Sequence, residues 1–172
     1  MKSLWAVAAA TILLSACQTM SSEAPRATAQ LQPTKGSKTS GEATFQQMGG
    51  KVRVVIIVQG LRPNQEHGLH IHEVGDCSSG DGMSTRGHFD PHKKPHGHYG
   101  SSERHAGDLP ALKANKDGRA RVEIDLDGIT VTPGPASVVG RGLIVHADPD
   151  DYKTQPTGNA GARIACGVIS LS

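Results

Sequence analysis

The sequence has few aromatic residues, no cluster of basic residues, no internal repeat and no long stretch with the apolar spacing of an amphipathic helix. Phe, Trp and Tyr make up 3% of the 172 residues, so the core has to be built mainly from Val, Ile, Leu and Ala. A net charge of +2 without a basic patch argues against nucleic acid as a partner. The 21 glycines lie mostly between short apolar runs, a pattern typical of a single all-β domain with many turns.

The first 17 residues have the features of a bacterial export signal. Lys2 gives a positive start, and LWAVAAATILLSA (4–16) is an apolar run too short to span a bilayer comfortably. The stretch LLSAC resembles a lipobox, in which Cys17 is lipid-modified, although an ordinary signal peptide with an incidental cysteine is the alternative. We expect a lipoprotein-type signal peptide over 1–17, a flexible tether over 18–30 and a folded domain over 31–172. This organisation predicts a protein of the cell envelope or periplasm, anchored to a membrane through Cys17.

Short β-type segments separated by turn residues fill the expected domain. The segments with strand character are EATFQQMGGKVRVVIIVQGL (42–61), HGLHIHEV (67–74), LPALKANKDGRARVEIDL (109–126), GRGLIVHAD (140–148) and ARIACGVISL (162–171). The first predicts two strands joined at Gly49-Gly50, the second of them buried on much of both faces. The third predicts a hairpin that turns at Asp117-Gly118. Residues 75–105 and 149–161 are irregular, and a loop of about 30 residues in a compact domain needs something to organise it.

Two cysteines remain once Cys17 is assigned to the lipid. Cys77 and Cys166 most simply pair in an oxidising compartment, and two separate buried thiols are the alternative. A disulfide between them closes a loop of about 90 residues, for which the chain-entropy relation gives a stabilisation of roughly 4–5 kcal/mol. Such a bond would fix one end of the long irregular segment.

Nine histidines are a high number for this length. They could form a loose metal-binding tract, unrelated surface positions, or a defined site. The spacing favours a site, because His70 and His72 share one face of a strand and His146 is a lone polar residue in an apolar strand. The long loop adds further candidates, namely His88, His96, His105 and Asp108. Imidazole with carboxylate in a tetrahedral set suits zinc, and a flatter set of imidazoles suits copper(II).

Five separated motifs occur in an order and spacing that are similar to one known family. GLHIHEVGDC, HFDPHKKPHG, RHAGDLP, LIVHADPDD and GNAGARIACGV together resemble the copper/zinc superoxide dismutase family in its bacterial exported form, over roughly residues 40–172. The resemblance implies an all-β fold, a Greek-key barrel or sandwich with long metal-binding and electrostatic loops, as is known for that enzyme.

The resemblance also implies a role for each matching residue. The implied copper ligands are His70, His72, His88 and His146, and the implied zinc ligands are His88, His96, His105 and Asp108. Asp150 is expected to join a copper-ligand ring to a zinc-ligand ring, and Arg163 to attract and orient superoxide beside the copper. His67 is expected to be a structural hydrogen-bonding residue, and His92 and His98 to be exposed loop residues.

The implied activity is the dismutation of superoxide to oxygen and hydrogen peroxide by a redox-cycling copper bridged through His88 to a structural zinc, which would protect the cell envelope. In that scheme His88 also takes up and returns a proton, so His88 and Arg163 are the expected catalytic residues. The loop over residues 151–158 looks shorter than in eukaryotic relatives of that family, so the steering residues of those relatives are not transferred to it, and Lys153 is a possible substitute. A homodimer is possible. The alternative function is a copper/zinc-binding or copper-delivering envelope lipoprotein on the same fold.

Overall fold

A computed structural model describes residues 23–172 and is nearly all β. The strands within that part of the chain are β1 (Arg26–Pro33), β2 (Ser40–Met48), β3 (Lys51–Gln59), β4 (Glu66–His67), β5 (Leu69–His72), β6 (Leu112–Lys113), β7 (Ala120–Leu126), β8 (Gly142–His146), β9 (Arg163–Val168) and β10 (Ser170–Leu171). One short 3₁₀ helix, Met83–Thr85, precedes His88. None of the helices in this described part is long and apolar enough to cross a membrane. The predicted signal peptide with Cys17 lies outside the described residues.

Eight strands form one curled antiparallel sheet in the order β5-β8-β9-β1-β2-β3-β7, with β10 paired to β1. Strands β4 and β6 form a separate two-stranded pair. Neighbours in the main sheet are often distant in the chain, so the sheet is built from crossovers as well as hairpins. The curled, helix-poor architecture confirms the predicted all-β fold class.

The β2–β3 hairpin shows why these residues form strands and where one expectation was wrong. The turn lies at Gly49 and Gly50, as predicted, and Gly49 has a φ of 61°. Alternate residues of β3, including Val54 and Ile56, are fully buried, whereas Ile57 is 45% exposed. The apolar run is therefore buried on one face only, because the opposite face of this part of the sheet is not covered.

The expected tether over 18–30 is wrong in its last residues. Arg26 begins β1, which pairs with β2 from Arg26 opposite Gln46 to Leu31 opposite Gly41. Ala27, Ala29 and Leu31 alternate with exposed or half-buried residues and are at most 1% exposed. Alanine has weak strand propensity, so this period-two pattern was missed in a segment rich in small and polar residues.

The predicted hairpin over 109–126 is only partly present. The turn forms, since the Asn115 N–H donates to the Arg119 carbonyl oxygen and the Gly118 N–H donates to the Asn115 carbonyl oxygen. The flanking strands do not pair with each other, because β6 pairs with β4 and β7 extends the main sheet beside β3. The longer ladder with β3 satisfies seven consecutive residue pairs of β7, which the two-residue β6 could not provide.

Strands β5, β8 and β9 form the part of the sheet that carries the histidines. The ladder between β5 and β8 sets His70 opposite Ile144. The β8–β9 register shifts between Val145 and His146, an irregularity of the kind that redirects a side chain near a site. A disulfide joins Cys77 to Cys166 of β9, as predicted, with the two Cα atoms 5.9 Å apart. It fastens the beginning of the long loop to the sheet.

Candidate metal centre

Four of the predicted histidines converge in a first cluster. His70 and His72 lie on β5, His146 ends β8, and His88 follows the short helix. All four are buried, and ligand atoms of their rings lie within 4.8 Å of one another. The period of two along β5 sends both of its histidines to the same face, while the loop residues bring in His88.

In each of the three strand histidines, one ring nitrogen contacts an acceptor oxygen of the protein. His72 Nδ1 is 2.8 Å from the Arg86 carbonyl oxygen, His146 Nδ1 is 3.2 Å from the Gly161 carbonyl oxygen, and His70 Nε2 is 2.7 Å from Asp150 Oδ2. Each contact fixes a ring orientation and places the proton on the contacting nitrogen. The other nitrogen of each ring is left as an acceptor.

Those remaining nitrogens have no partner. His70 Nδ1, His72 Nε2, His146 Nε2 and His88 Nε2 are buried and form no hydrogen bond within the described part of the chain. A buried polar atom without a partner costs about 1–3 kcal/mol, so four of them in one cluster fit a metal-binding site better than a packing arrangement. Imidazole nitrogens suit copper(II), and they also suit zinc, iron and nickel.

A second cluster contains His88, His96, His105 and Asp108, again with ligand atoms within 4.8 Å of one another. Asp108 Oδ1 lies 2.9 Å from His88 Nδ1, 2.9 Å from His96 Nδ1 and 3.6 Å from His105 Nδ1. Asp108 Oδ2 accepts the N–H groups of Gly97 and His105, which holds the carboxylate in place. Three nitrogens and one carboxylate oxygen are a usual tetrahedral set for zinc.

His88 belongs to both clusters. Its Nδ1 faces Asp108 and its Nε2 is the unpartnered atom on the side of the first cluster. Its ring stacks on that of His70, with the centroids 3.9 Å apart. One imidazole can therefore bind a metal ion on each side.

Asp150 connects the two clusters from behind. Its Oδ2 contacts His70 Nε2 at 2.7 Å, and its Oδ1 contacts His96 Nε2 at 2.9 Å and accepts the Tyr152 N–H at 2.7 Å. The side chain is only 2% exposed, so water cannot replace these contacts. Gly158 packs so closely against Asp150 that an added Cβ would clash with Asp150 Oδ1. His70 and His96 are the two rings that the resemblance to a known family assigned to Asp150.

Burial controls the protonation of the histidines before any metal binds. Burial lowers the pKa of His88 to about 4 and that of His146 to about 3, which favours the neutral, ligating ring. Burial also acts to lower the pKa of His96, but the hydrogen bonds with Asp108 and Asp150 outweigh it and raise that pKa to about 9. Burial would raise the pKa of Asp108, yet its histidine partners hold it well below the usual range. Protonated His96 and ionised Asp108 of the second cluster therefore form an ion pair before any metal binds.

Arg163 is fixed beside the first cluster by the loop that precedes His88. Its guanidinium donates to the Gly82 carbonyl oxygen at 2.7 Å, to Thr85 Oγ1 at 2.9 Å and to the Arg86 carbonyl oxygen at 2.7 Å. After burial, its positive charge is among the causes that lower the pKa of His72 and His146, so the charge acts on the cluster. An anion that approaches these histidines meets a positioned cation.

Several residues around the clusters were not predicted. The Gln155 side-chain amide donates to the His96 carbonyl oxygen and accepts the His96 N–H, both at 2.9 Å. Arg86 offers its carbonyl oxygen to both His72 and Arg163. No sequence pattern identifies these contacts, because they join segments that are separated in the chain.

The remaining histidines and Lys153 lie outside both clusters. His67 is fully buried and its Nδ1 contacts the His146 carbonyl oxygen at 2.9 Å, which is the structural role expected for it. His92, His98 and Lys153 are exposed.

Comparison with known proteins gives one family. Residues 39–169 match the model of the copper/zinc superoxide dismutase family. The chain is 40% identical over 139 residues to "Superoxide dismutase [Cu-Zn] 1" of Aquifex aeolicus, covering 78% of this chain and 82% of that protein. It is 38% identical to "Superoxide dismutase [Cu-Zn] 2" of the same organism, over 98% and 99% of the two chains. A solved double mutant of a superoxide dismutase-like protein from Bacillus subtilis is 34% identical, with a TM-score of 0.75 over 83% of this chain and 96% of that one.

Proposed function

The chain belongs to the copper/zinc superoxide dismutase family and is a superoxide dismutase that uses copper and zinc, and we propose which residues carry this activity. The proposed copper ligands are His70, His72, His88 and His146, and the proposed zinc ligands are His88, His96, His105 and Asp108. The observation that carries the assignment is the set of four buried, unpartnered nitrogens on one side of His88, with a carboxylate on the other side.

When bound, copper would supply one-electron redox chemistry, and zinc would hold the loop and polarise the His88 ring. The protein residues then bind, orient and protonate. Arg163 would attract superoxide and orient it through charge-assisted hydrogen bonds. His88 Nε2, which has no protein partner, would accept a proton in one half of the reaction and donate it toward hydrogen peroxide in the other. Asp150 would keep the rings of His70 and His96 in the tautomers that leave their Nδ1 atoms available.

The test compares metal content with superoxide turnover in purified protein. We expect one copper and one zinc per chain together with fast dismutation. His88→Gln should lose the activity and disturb both metals, whereas His92→Gln, an exposed histidine of the same loop, should keep both. Two metals bound without turnover would contradict dismutation at this site and would favour a copper-delivering protein on the same fold.

We also propose that the enzyme acts in the cell envelope, attached to a membrane through Cys17, and protects that compartment from superoxide. The apolar segment before Cys17 supports this proposal, and so does the Cys77–Cys166 disulfide, because such bonds persist outside the cytosol. Membrane fractionation of cells that express the native chain and Cys17→Ser should show the native protein in the membrane fraction and the variant released. Equal membrane retention of both would contradict the lipid anchor.

A further inference from the structure

The backbone of Arg86 adopts a conformation that an arginine rarely occupies. Its φ is 64° and its ψ is −142°, close to the region that only glycine adopts readily. Such a conformation raises the free energy of the folded protein and persists only where the surroundings impose it. The next residue in the chain is a glycine, Gly87, yet the strained position itself carries a side chain with a long stem and a charge.

The contacts of the Arg86 carbonyl oxygen explain why the backbone adopts this conformation, but they do not explain why the residue is an arginine. That oxygen accepts the hydrogen bonds of His72 Nδ1 at 2.8 Å and of the Arg163 guanidinium at 2.7 Å. It therefore sets the orientation of a proposed copper ligand and of the proposed substrate-binding cation at once. A glycine would present the same carbonyl oxygen with less strain, so this task does not require arginine.

The side chain of Arg86 contributes no contact that would compensate for the strain. It is exposed, and within residues 23–172 its guanidinium forms neither a hydrogen bond nor an ion pair. Its charge is therefore not neutralised by a neighbouring carboxylate. The Arg86 carbonyl oxygen touches both His72 and Arg163. An arginine side chain is shorter than the Debye length of about 10 Å at 0.1 M salt, so a charge carried by this residue is within electrostatic range of an anion that approaches the first cluster.

We propose that Arg86 is a second steering residue, which adds an unpaired positive charge beside Arg163 and raises the rate at which superoxide reaches the site, at the expense of stability. This inference rests on the proposed function, because it requires an anionic substrate at the first cluster. No sequence pattern indicates a steering charge at this position. Two properties should change in opposite directions when the side chain is removed.

The experiment uses Arg86→Gly, Arg86→Lys and Arg86→Glu in the full chain, with Arg119→Glu as a control for charge alone. Arg119 is exposed in the turn before β7 and forms no ion pair within the described residues. The rate constant for superoxide is measured by pulse radiolysis at ionic strengths from about 0.01 to 0.1 M, where the Debye length falls from about 30 to 10 Å. Thermal midpoints of the metal-free and metal-loaded proteins, and their copper and zinc contents, are measured in parallel.

We expect Arg86→Gly to raise both thermal midpoints, to keep its metals, and to lower the rate constant about threefold at low ionic strength with a weaker dependence on salt. Arg86→Lys should keep most of the rate, Arg86→Glu should lower it further, and Arg119→Glu should leave it unchanged. An Arg86→Gly rate equal to that of the native enzyme at every ionic strength would overturn the steering role. A fall that is independent of salt would overturn it as well. A native protein without dismutation would instead refute the proposed function.

Discussion

Replacement of Asp150 by asparagine should weaken copper binding more than zinc binding, although the residue lies between the two clusters. Asp150 Oδ1 meets two donors, His96 Nε2 and the Tyr152 N–H, whereas Oδ2 meets only His70 Nε2. An asparagine has one oxygen and one NH₂ group, and its oxygen should take the place that satisfies two donors. The NH₂ group then faces His70, which is a proposed ligand of copper and not of zinc.

His70 has two responses to that NH₂ group, and both weaken the copper site. If its proton stays on Nε2, two donors face each other in a place that water does not reach, since the Asp150 side chain is 2% exposed. If the proton moves to Nδ1, it occupies the atom that the metal needs. Loss of such a supporting partner typically lowers metal affinity 10- to 100-fold, which corresponds to about 1.4–2.7 kcal/mol.

The assay is a titration of copper(II), and separately of zinc(II), into the metal-free protein in competition with a chelator of known affinity. Asp151→Asn is the matched control, because Asp151 is exposed and its carboxylate bonds only within its own loop, to Lys153 and Thr154. We expect the control to bind both metals like the native chain. A copper affinity that is unchanged in Asp150→Asn, or a zinc loss larger than the copper loss, would refute the reasoning about Oδ1 and Oδ2.

Three further predictions follow from other parts of the site. Arg163→Gln should keep its copper and slow dismutation on the order of tenfold at low ionic strength, and an unchanged rate in stopped-flow measurements would contradict a steering role. Cys77→Ser combined with Cys166→Ser should lower the free energy of unfolding by about 4–5 kcal/mol in denaturant titrations. A double variant as stable as the native chain would contradict the loop-closure entropy expected for a disulfide between residues 89 positions apart. The thermal midpoint of the metal-free protein should be highest near pH 6–7. Below this range, His88 gains a proton in the unfolded chain but stays neutral in the folded protein, where its pKa is about 4, so stability falls with the pH. Above this range, the stabilisation by protonated His96 is lost as the pH rises through the pKa of about 9 that His96 has in the folded protein. A flat profile would contradict both pKa shifts.

The grouping of the histidines in the two clusters could be anticipated in part from local geometry, and their assignment to two metals came from the resemblance to a family. The period of a strand sets His70 and His72 on one face, and a lone histidine in an apolar strand, His146, requires a polar partner. The structure brings together all seven side chains that were expected to bind metal. The sequence does not show which side chains a loop carboxylate will contact. The contacts of Asp150 with His70 and His96 could be expected only from the resemblance to a family.

The errors in the predicted strands have a different origin. Burial on both faces of β3 was inferred from its continuous apolar run, but exposure of Ile57 depends on whether another layer covers that face. The start of the domain was placed too late because Ala27 and Ala29 are small, and their pairing with β2 is a tertiary event. Local composition decides whether a segment can form a strand, and the rest of the sheet decides where the strand begins and which face it buries.

The contacts that orient the ligands were beyond prediction because most of them use the backbone. The His96 backbone is held by Gln155, and the His72 ring by the Arg86 carbonyl oxygen. A carbonyl oxygen is present at every residue, so a sequence contains no sign that one particular carbonyl will meet a ligand ring. Only the structure shows such a need, as it does where Arg86 adopts a glycine-like conformation and its carbonyl oxygen meets His72 and Arg163.

Metal binding and folding are coupled in this arrangement. Each histidine of the first cluster is held through one nitrogen or through its strand, which leaves the other nitrogen buried without a partner. The energetic cost of four such atoms would be removed if their lone pairs bound a metal ion. In the second cluster, Asp108 already contacts His88 and His96, so zinc there would replace an existing ion-paired network. Copper should therefore stabilise the fold mainly by relieving unpaired atoms, and zinc by exchanging one set of contacts for a stronger one, with release of the His96 proton.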